Sequence, residues 1–287
     1  MKRNGVAVTL LAAAVSLVWM GRAIAADDPV VAAARAAEAT LGAKVGLAVH
    51  DTGSGRTWLH NADERFPMAS TFKALACAAL LDAGPERLAT STTIAADDLQ
   101  SYAPVTKTMV GRRVPASELC AITLRTSDNT AANKVLEILG GPARVTSFLR
   151  SIGDGTTRLD RMEPDLNEGR PGDPRDTTTP RAMADTMRKL LLGTALEKAA
   201  QRRLTQWLLD NEVGGPLLRA GLPSDWRIAD RTGAGGFGTR GVVAVMWPPR
   251  RAPLVAAIYV TGTRASMEAR NAAIAAIGRA IAAQPSP

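Results

Sequence analysis

The alternation of hydrophobic and polar positions predicts strands near both ends of the chain. Segment 44–51 (KVGLAVHD) alternates, Gly53 and Gly55 turn the chain, and 56–61 returns as a second strand. Three further runs near the other end are short, apolar and separated by Gly or Pro: 226–232, 240–247 and 253–261. Short apolar runs joined by turns are typical of antiparallel strands, so a sheet is expected from both chain ends.

Helical spacing of apolar residues fills most of the remaining chain. Helices are predicted over 27–40 and over 266–283, and four more apolar-periodic segments lie between about 66 and 209. This order predicts the α+β class, as an α/β sandwich with an inserted all-helical domain. We assign 26–61 and 210–287 to the α/β domain and 62–209 to the helical domain.

The N-terminal segment 1–25 has the features of a signal peptide. Two basic residues precede an apolar run from Val6 to Met20, and Ala23-Ile24-Ala25 supplies the small residues of a cleavage site. The run is short for a membrane span, although a retained anchor is the alternative. Removal of residues 1–25 would take away three basic residues and no acidic one, so the formal net charge would fall from +8 to +5.

Composition excludes several classes of protein. With 46% hydrophobic and 22% charged residues in 287, the chain is globular rather than disordered or fibrous. Two histidines, His50 and His60, and two cysteines leave almost nothing for a zinc site or a Ser-His-Asp triad. No cluster of basic and aromatic residues predicts nucleic-acid binding. No metal and no cofactor are therefore expected.

The two cysteines lie in apolar helical segments. Cys77 is in FKALACAALL and Cys120 is in ASELCAITL. They are either two buried thiols or, in the oxidising compartment that a signal peptide implies, a disulfide.

Ser70-Thr71-Phe72-Lys73 is the candidate nucleophile motif. Residues i and i+3 of a helix share one face, so an unprotonated Lys73 could take the proton of the Ser70 hydroxyl. A serine at a helix N-terminus also has backbone N–H groups that favour developing negative charge. The alternative is an ordinary helix cap beside a solvated lysine.

Two further short motifs carry polar chemistry. Ser127-Asp128-Asn129 offers a hydroxyl that could relay a proton and an amide that could orient a substrate, although a simple cap is the alternative. Arg231-Thr232-Gly233 combines a cation, a hydroxyl and an open strand edge, which suit a ligand carboxylate. An exposed strand end is the other interpretation.

In this order, S-x-x-K, S-D-N and R-T-G resemble the class A serine β-lactamases and their penicillin-binding relatives. Arg161-Met162-Glu163-Pro164-Asp165-Leu166-Asn167 resembles the class A segment that supplies the deacylating base. Penicillin-binding proteins lack that segment and stay acylated. The resemblance spans nearly the whole mature chain and implies hydrolysis of the β-lactam amide of penicillins and some early cephalosporins through an acyl-serine.

The resemblance also implies a role for each matching residue. Ser70 is the nucleophile, Lys73 and Glu163 share the proton transfers, Ser127 protonates the lactam nitrogen, and Asn167 helps Glu163 to hold water. The N–H groups of Ser70 and Ala234 form the oxyanion hole. The remaining implied residues contact substrate or support the fold: Tyr102, Asn129, Arg231, Thr232 and Arg240 bind substrate, Cys77 and Cys120 form a disulfide, and Arg161 and Asp176 pair across an Ω-loop at 161–176.

Arg231 departs from the lysine of the common motif. Arginine keeps the charge but offers a planar fork that does not titrate near neutral pH. In the family, R-T-G marks a carbenicillin-hydrolysing subgroup, so activity on penicillins with an extra carboxylate is expected.

The expected protein is a periplasmic monomer cleaved near Ala25, free of the membrane, whose partner is a small β-lactam. The alternatives are a penicillin-binding DD-peptidase and a non-catalytic binding module.

Overall fold

The computed structural model describes residue 1 and residues 28–285; the predicted signal peptide lies outside the described residues apart from Met1. The described chain forms these α-helices: α1 Pro29–Leu41, α2 Phe72–Asp82, α3 Pro85–Ala89, α4 Ala116–Thr126, α5 Asn129–Leu139, α6 Pro142–Ser151, α7 Pro180–Leu191, α8 Lys198–Leu209 and α9 Met267–Ala282. The strands are β1 Lys44–Asp51, β2 Thr57–His60, β3 Phe66–Pro67, β4 Ser91–Thr93, β5 Arg113–Pro115, β6 Thr177–Thr178, β7 Arg227–Ala234, β8 Arg240–Trp247 and β9 Leu254–Thr261.

The main sheet is antiparallel and joins the two ends of the chain, as predicted. Its five strands follow the order β2-β1-β9-β8-β7. β1 and β8 have the predicted bounds, whereas β7 runs two residues further than expected because Gly233 and Ala234 pair with Gly241 and Arg240. The two-stranded pairs β3-β6 and β4-β5 lie inside the segment that was predicted to be helical.

Two hydrophobic cores lie on opposite faces of this sheet. Alternate residues of β8 and β9 face α1 and α9 on one side, where Val242, Ile258 and Ile274 are fully buried. The other residues face α7 and the helices between β3 and β6, with α2 buried along its whole length from Phe72 to Leu81. The predicted fold class is confirmed, while the domain boundaries at 61/62 and 209/210 stay a prediction.

The disulfide is confirmed between Cys77 on α2 and Cys120 on α4. It joins two helices that are both covered by other elements, since both cysteines are fully buried. None of the helices in the described part of the chain has both the length and the hydrophobicity needed to cross a bilayer.

Candidate active site

Ser70 lies in a turn of 3₁₀-helix, Ala69–Thr71, that leads directly into α2. Ser70 is buried, with 8% of the residue exposed, and its hydroxyl accepts a hydrogen bond from Ser127 Oγ at 3.2 Å. The residue before it, Ala69, has φ +42°, in the left-handed region that L-residues seldom adopt. This turn sets Ser70 at the N-terminus of a buried helix, where backbone N–H groups favour negative charge.

Lys73 lies one turn along α2 and is fully buried. Its ammonium donates to the Ser127 carbonyl at 2.8 Å and to Asn129 Oδ1 at 2.6 Å, and it lies 3.1 Å from Glu163 Oε1. Burial lowers the pKa of Lys73 to about 8, with Arg231 adding to this effect and Glu163 opposing it. Within residues 28–285, Lys73 makes no hydrogen bond to Ser70, and Ser127 lies between the two.

Ser127 follows the last turn of α4 in the left-handed conformation, with φ +66°. That conformation ends the helix and directs the Ser127 hydroxyl toward Ser70, while Arg231 Nη2 donates to the same hydroxyl. Asp128 then caps α5 by accepting a hydrogen bond from Ala131 N at 2.9 Å. The S-D-N motif is therefore both a helix junction and the point where the candidate groups meet.

Glu163 reaches the same point from the loop between α6 and α7. Its carboxylate is fully buried, pairs with Lys73, and accepts a hydrogen bond from the Asn167 amide. The Glu163–Pro164 peptide bond is cis. Asn133 on α5 accepts from Glu163 N and donates to Glu163 O, both at 2.9 Å. Asn133 was not predicted, because a single amide on a helix carries no sequence signal.

The loop that carries Glu163 is closed at its ends. Arg161 Nε donates to Asp176 Oδ2 at 2.6 Å, and Asp176 Oδ1 accepts from the backbone N–H groups of Asp160 and Arg161. Arg161 also pairs with Glu168 at 2.8 Å. At the other side, Gly236 N donates to the Asn167 carbonyl at 2.8 Å, which ties the loop to the end of β7.

A cavity of about 350 Å³ opens above these groups. Most of the predicted substrate-contacting residues line it: Ser70, Tyr102, Ser127, Asn129, Asn167, Thr232, Ala234 and Arg240. Val213 and Met267 also line it and were not predicted. Lys73, Glu163 and Arg231 do not line the cavity; all three are buried next to residues that do. A larger cavity of about 520 Å³, between β1, β2 and α7, contains none of the predicted site residues.

Two guanidinium groups supply positive charge at this cavity. Arg231 is fully buried on β7; apart from the bond to Ser127, its Nε and Nη1 make no hydrogen bond in the described part of the chain. Arg240 on β8 donates to Asn271 Oδ1 at 2.8 Å and to Gly233 O at 3.2 Å. Burial lowers the pKa of each to about 10, so both are charged at neutral pH.

Neither histidine belongs to this cluster. His60 Nε2 lies 2.7 Å from Glu38 Oε2 near α1, and His50 lines the larger cavity. Among residues 28–285, no three His, Cys, Asp or Glu side chains are grouped where they could hold a metal ion.

Comparison with known proteins finds close relatives over most of the chain. A family model described as the β-lactamase enzyme family matches residues 30–284. β-Lactamase AER-1 of Aeromonas hydrophila is 51% identical over 250 residues, which are 86% of this chain and 82% of the relative. β-Lactamase PSE-4 of Pseudomonas aeruginosa is 50% identical over 86% of this chain and 87% of its own. An ancestral class A β-lactamase superposes with a TM-score of 0.85 at 52% identity, covering 88% of this chain and 98% of the other.

Proposed function

Because the chain belongs to the β-lactamase enzyme family, as a class A serine β-lactamase of the carbenicillinase type, we propose how its residues divide the reaction. The enzyme hydrolyses the β-lactam amide bond through an acyl-serine intermediate. The observation that carries the assignment is the buried chain of contacts from Ser70 through Ser127 and Lys73 to Glu163, each step within 3.3 Å.

Acylation begins with attack of Ser70 Oγ on the lactam carbonyl carbon. In the resting enzyme Lys73 donates hydrogen bonds to the Ser127 carbonyl, Ser127 Oγ and Asn129, and its Nζ lies 3.1 Å from Glu163 Oε1. A charged Lys73 has no free electron pair, so it must lose one proton before it can accept the Ser70 proton through Ser127, and in the parent enzyme the adjacent Glu163 takes that proton. The pKa of Lys73, about 8, makes this transfer accessible at neutral pH. As the ring C–N bond breaks, Ser127 protonates the leaving nitrogen and regains a proton from Lys73, whose Nζ lies 3.3 Å from Ser127 Oγ.

Charge on the substrate is held by separate groups. The N–H groups of Ser70 and Ala234 bind the developing oxyanion, and Arg231, Thr232 and Arg240 bind the ring carboxylate. Asn129 and Tyr102, which both line the cavity, contact the acylamino side chain. The two unpaired nitrogens of Arg231 support its assignment as an anion-binding group.

Deacylation requires a water that attacks the acyl-serine carbonyl. Glu163 is the base, and Asn167 orients the same water through an oxygen that makes no other hydrogen bond among the described residues. Before this step Glu163 returns to Lys73 the proton that it took during acylation. The water proton then passes to Glu163, Ser70 leaves with a proton from Lys73, and a last transfer from Glu163 to Lys73 restores the resting enzyme.

Intact-protein mass followed over time with benzylpenicillin tests this assignment. The parent enzyme should give product with only a fleeting adduct, whereas Glu163→Ala should accumulate a stoichiometric adduct on Ser70. A lasting adduct on the parent would identify a DD-peptidase, and full activity of Ser70→Ala would remove the proposed nucleophile.

We also propose that the mature protein is a periplasmic monomer, freed of the membrane by cleavage near Ala25. The apolar run of 1–25 and the disulfide support export. N-terminal sequencing of protein from an osmotic-shock fraction, with light scattering of the purified enzyme, tests both parts. An intact N-terminus or a dimeric mass would contradict them.

A further inference from the structure

A row of glycines crosses the main sheet directly beneath the nucleophile turn. In the antiparallel registers Gly46 on β1 lies opposite Tyr259 on β9, Tyr259 lies opposite Gly241 on β8, and Gly241 lies opposite Gly233 on β7. Directly opposed residues share one face of a sheet. In this row of four opposed residues, Tyr259 therefore has the only side chain, because the other three are glycines.

Gly233, at one end of this row, has no side chain, so the turn around Ser70 can lie directly on the sheet. A Cβ atom built on Gly233 would be 2.8 Å from Met68 O and 3.1 Å from Ser70 N. Contacts this close are not tolerated, so only glycine allows the approach. The turn itself contains Ala69 at φ +42°, a conformation that costs roughly 1–2 kcal/mol and needs surrounding contacts to persist.

The glycines on either side of Tyr259 make room for two aromatic rings. A Cβ on Gly241 would lie 2.6 Å from Tyr259 Cδ1, and a Cβ on Gly46 would lie 2.4 Å from Phe66 Cε2. The rings of Phe66 and Tyr259 pack with centroids 6.0 Å apart. Tyr259 is fully buried, so its ring has little freedom to move.

The hydroxyl of this fixed ring contacts the nucleophile turn. Tyr259 Oη lies 3.0 Å from Thr71 Oγ1, and Thr71 Oγ1 donates its single proton to Met68 O at 2.7 Å. Tyr259 must therefore be the donor to Thr71. Burial raises the pKa of Tyr259, so its hydroxyl keeps that proton at any working pH.

We propose that the Tyr259 hydroxyl is a positioning group that, through Thr71, holds the Ser70 N–H in the orientation that the oxyanion hole needs. The inference rests on the proposed role of Ser70. Oxyanion-hole donors act only when they lie about 2.7–3.1 Å from the oxyanion. The Ser70 N–H moves with the 68–71 turn, and Tyr259 links that turn to the centre of the sheet.

Tyr259→Phe tests the proposal because it removes the hydroxyl and keeps the ring. The variant is made in the Glu163→Ala background, where the acyl-enzyme accumulates and acylation is observed alone. We expect the acylation rate constant for benzylpenicillin to fall about tenfold, because a loosened donor forfeits part of its transition-state contribution. The infrared carbonyl stretch of the acyl-enzyme should move to higher frequency, as weaker hydrogen bonds polarise the carbonyl less.

Matched variants separate positioning from simple loss of stability. Thr157→Val removes one partner of another fully buried hydroxyl pair, Thr157 Oγ1 and Thr178 Oγ1 at 2.7 Å, which among the described residues makes no hydrogen bond to the 68–71 turn. It should lower the melting temperature without changing the acylation rate or the carbonyl frequency. Thr71→Val should reproduce the Tyr259→Phe result, and Thr71→Ser should restore the parent values. Thr71→Val also serves if Tyr259→Phe does not fold.

An unchanged acylation rate and carbonyl frequency in Tyr259→Phe, with only a lower melting temperature, would overturn the positioning role. Equal changes in Thr157→Val would do the same. If the Glu163→Ala parent itself forms no adduct on Ser70, the proposed function fails instead, so the two failures are distinguishable.

Discussion

Replacement of Arg231 by lysine should selectively damage hydrolysis of a penicillin that carries two carboxylates. Arg231 is fully buried and keeps its charge, since burial lowers its pKa only to about 10. A lysine at the same place begins from an ordinary pKa near 10.4 and lies close to the buried Lys73. Burial and that second cation should lower its pKa far enough for part of it to be neutral at pH 8.

The size of the effect follows from the lost charge. At an effective dielectric constant of about 20, a unit charge about 9 Å away contributes roughly 2 kcal/mol, or about 20- to 30-fold in rate. Both substrates carry the ring carboxylate, and carbenicillin adds a second one. We therefore expect Arg231→Lys to lower kcat/KM for carbenicillin more than for benzylpenicillin at pH 8, by a factor that approaches about 20 only as the lysine becomes fully neutral.

The assay compares kcat/KM for the two substrates at pH 6 and pH 8, at low and high salt. The new lysine is more fully charged below its depressed pKa, so the difference between substrates should shrink at pH 6. High salt should also reduce it, because the second carboxylate is partly screened.

Arg240→Lys is the matched control, since Arg240 faces the same cavity but is partly exposed. Burial lowers the pKa of Arg240 as well, but water reaches its partly exposed side chain, so a lysine there should keep more of its charge than a lysine at 231. It should lose mainly the two-pronged hydrogen bonding to Asn271 and Gly233. The kcat/KM values for the two substrates should then fall by similar factors. Equal losses on both substrates with Arg231→Lys at pH 8 would refute the charge argument.

Three further predictions concern proton transfer, the loop and the disulfide. The acylation rate in Glu163→Ala should rise with pH as Lys73 loses its proton and should level off below about pH 8, because Glu163, which raises the pKa of Lys73, is absent; stopped-flow acylation that is flat from pH 5 to 9 would contradict a titrating Lys73. Asp176→Asn keeps the acceptor shape but removes a buried charge, so chemical denaturation should show a loss of about 3 kcal/mol, and an unchanged midpoint would show that the charge is not needed. Replacing Cys77 and Cys120 by alanine opens a loop with a sequence separation of 43 residues, which costs about 4 kcal/mol in the chain-entropy model. That variant should unfold at lower denaturant yet keep its kcat, and a large fall in kcat of the folded variant would contradict a purely structural disulfide.

The local sequence pattern was sufficient to predict the strands that are buried along most of their length. The bounds of β1 and β8 follow from apolar runs that end at turn residues, because a strand buried on one or both faces needs that pattern. The class of the fold follows from the order of such elements along the chain. The short strands β3 to β6 could not be predicted, since two- or three-residue pairings depend on a distant partner and leave no period.

The motifs identified the candidate catalytic residues. Their residue types did not show how deeply each residue is buried, which groups it contacts or how its pKa is shifted. S-x-x-K predicts a lysine beside a serine on one helix face; the sequence does not show that Lys73 is fully buried and directed at Ser127, Asn129 and Glu163 instead. Its pKa of about 8 comes from desolvation by residues far away in the chain. The burial of Arg231 is likewise not visible in the sequence, nor is the fact that two of its nitrogens make no hydrogen bond among the described residues.

By itself, then, the sequence determined the order of the elements, the family and the residues that can do acyl transfer. Tertiary structure alone decided which of them touch and which supporting residues hold them, such as Asn133 behind Glu163 and Tyr259 beneath Ser70. The physical reason is the range of the interactions. Periodicity and capping act between neighbours in the chain, whereas burial, buried hydrogen bonds and pKa depend on side chains brought together only by packing.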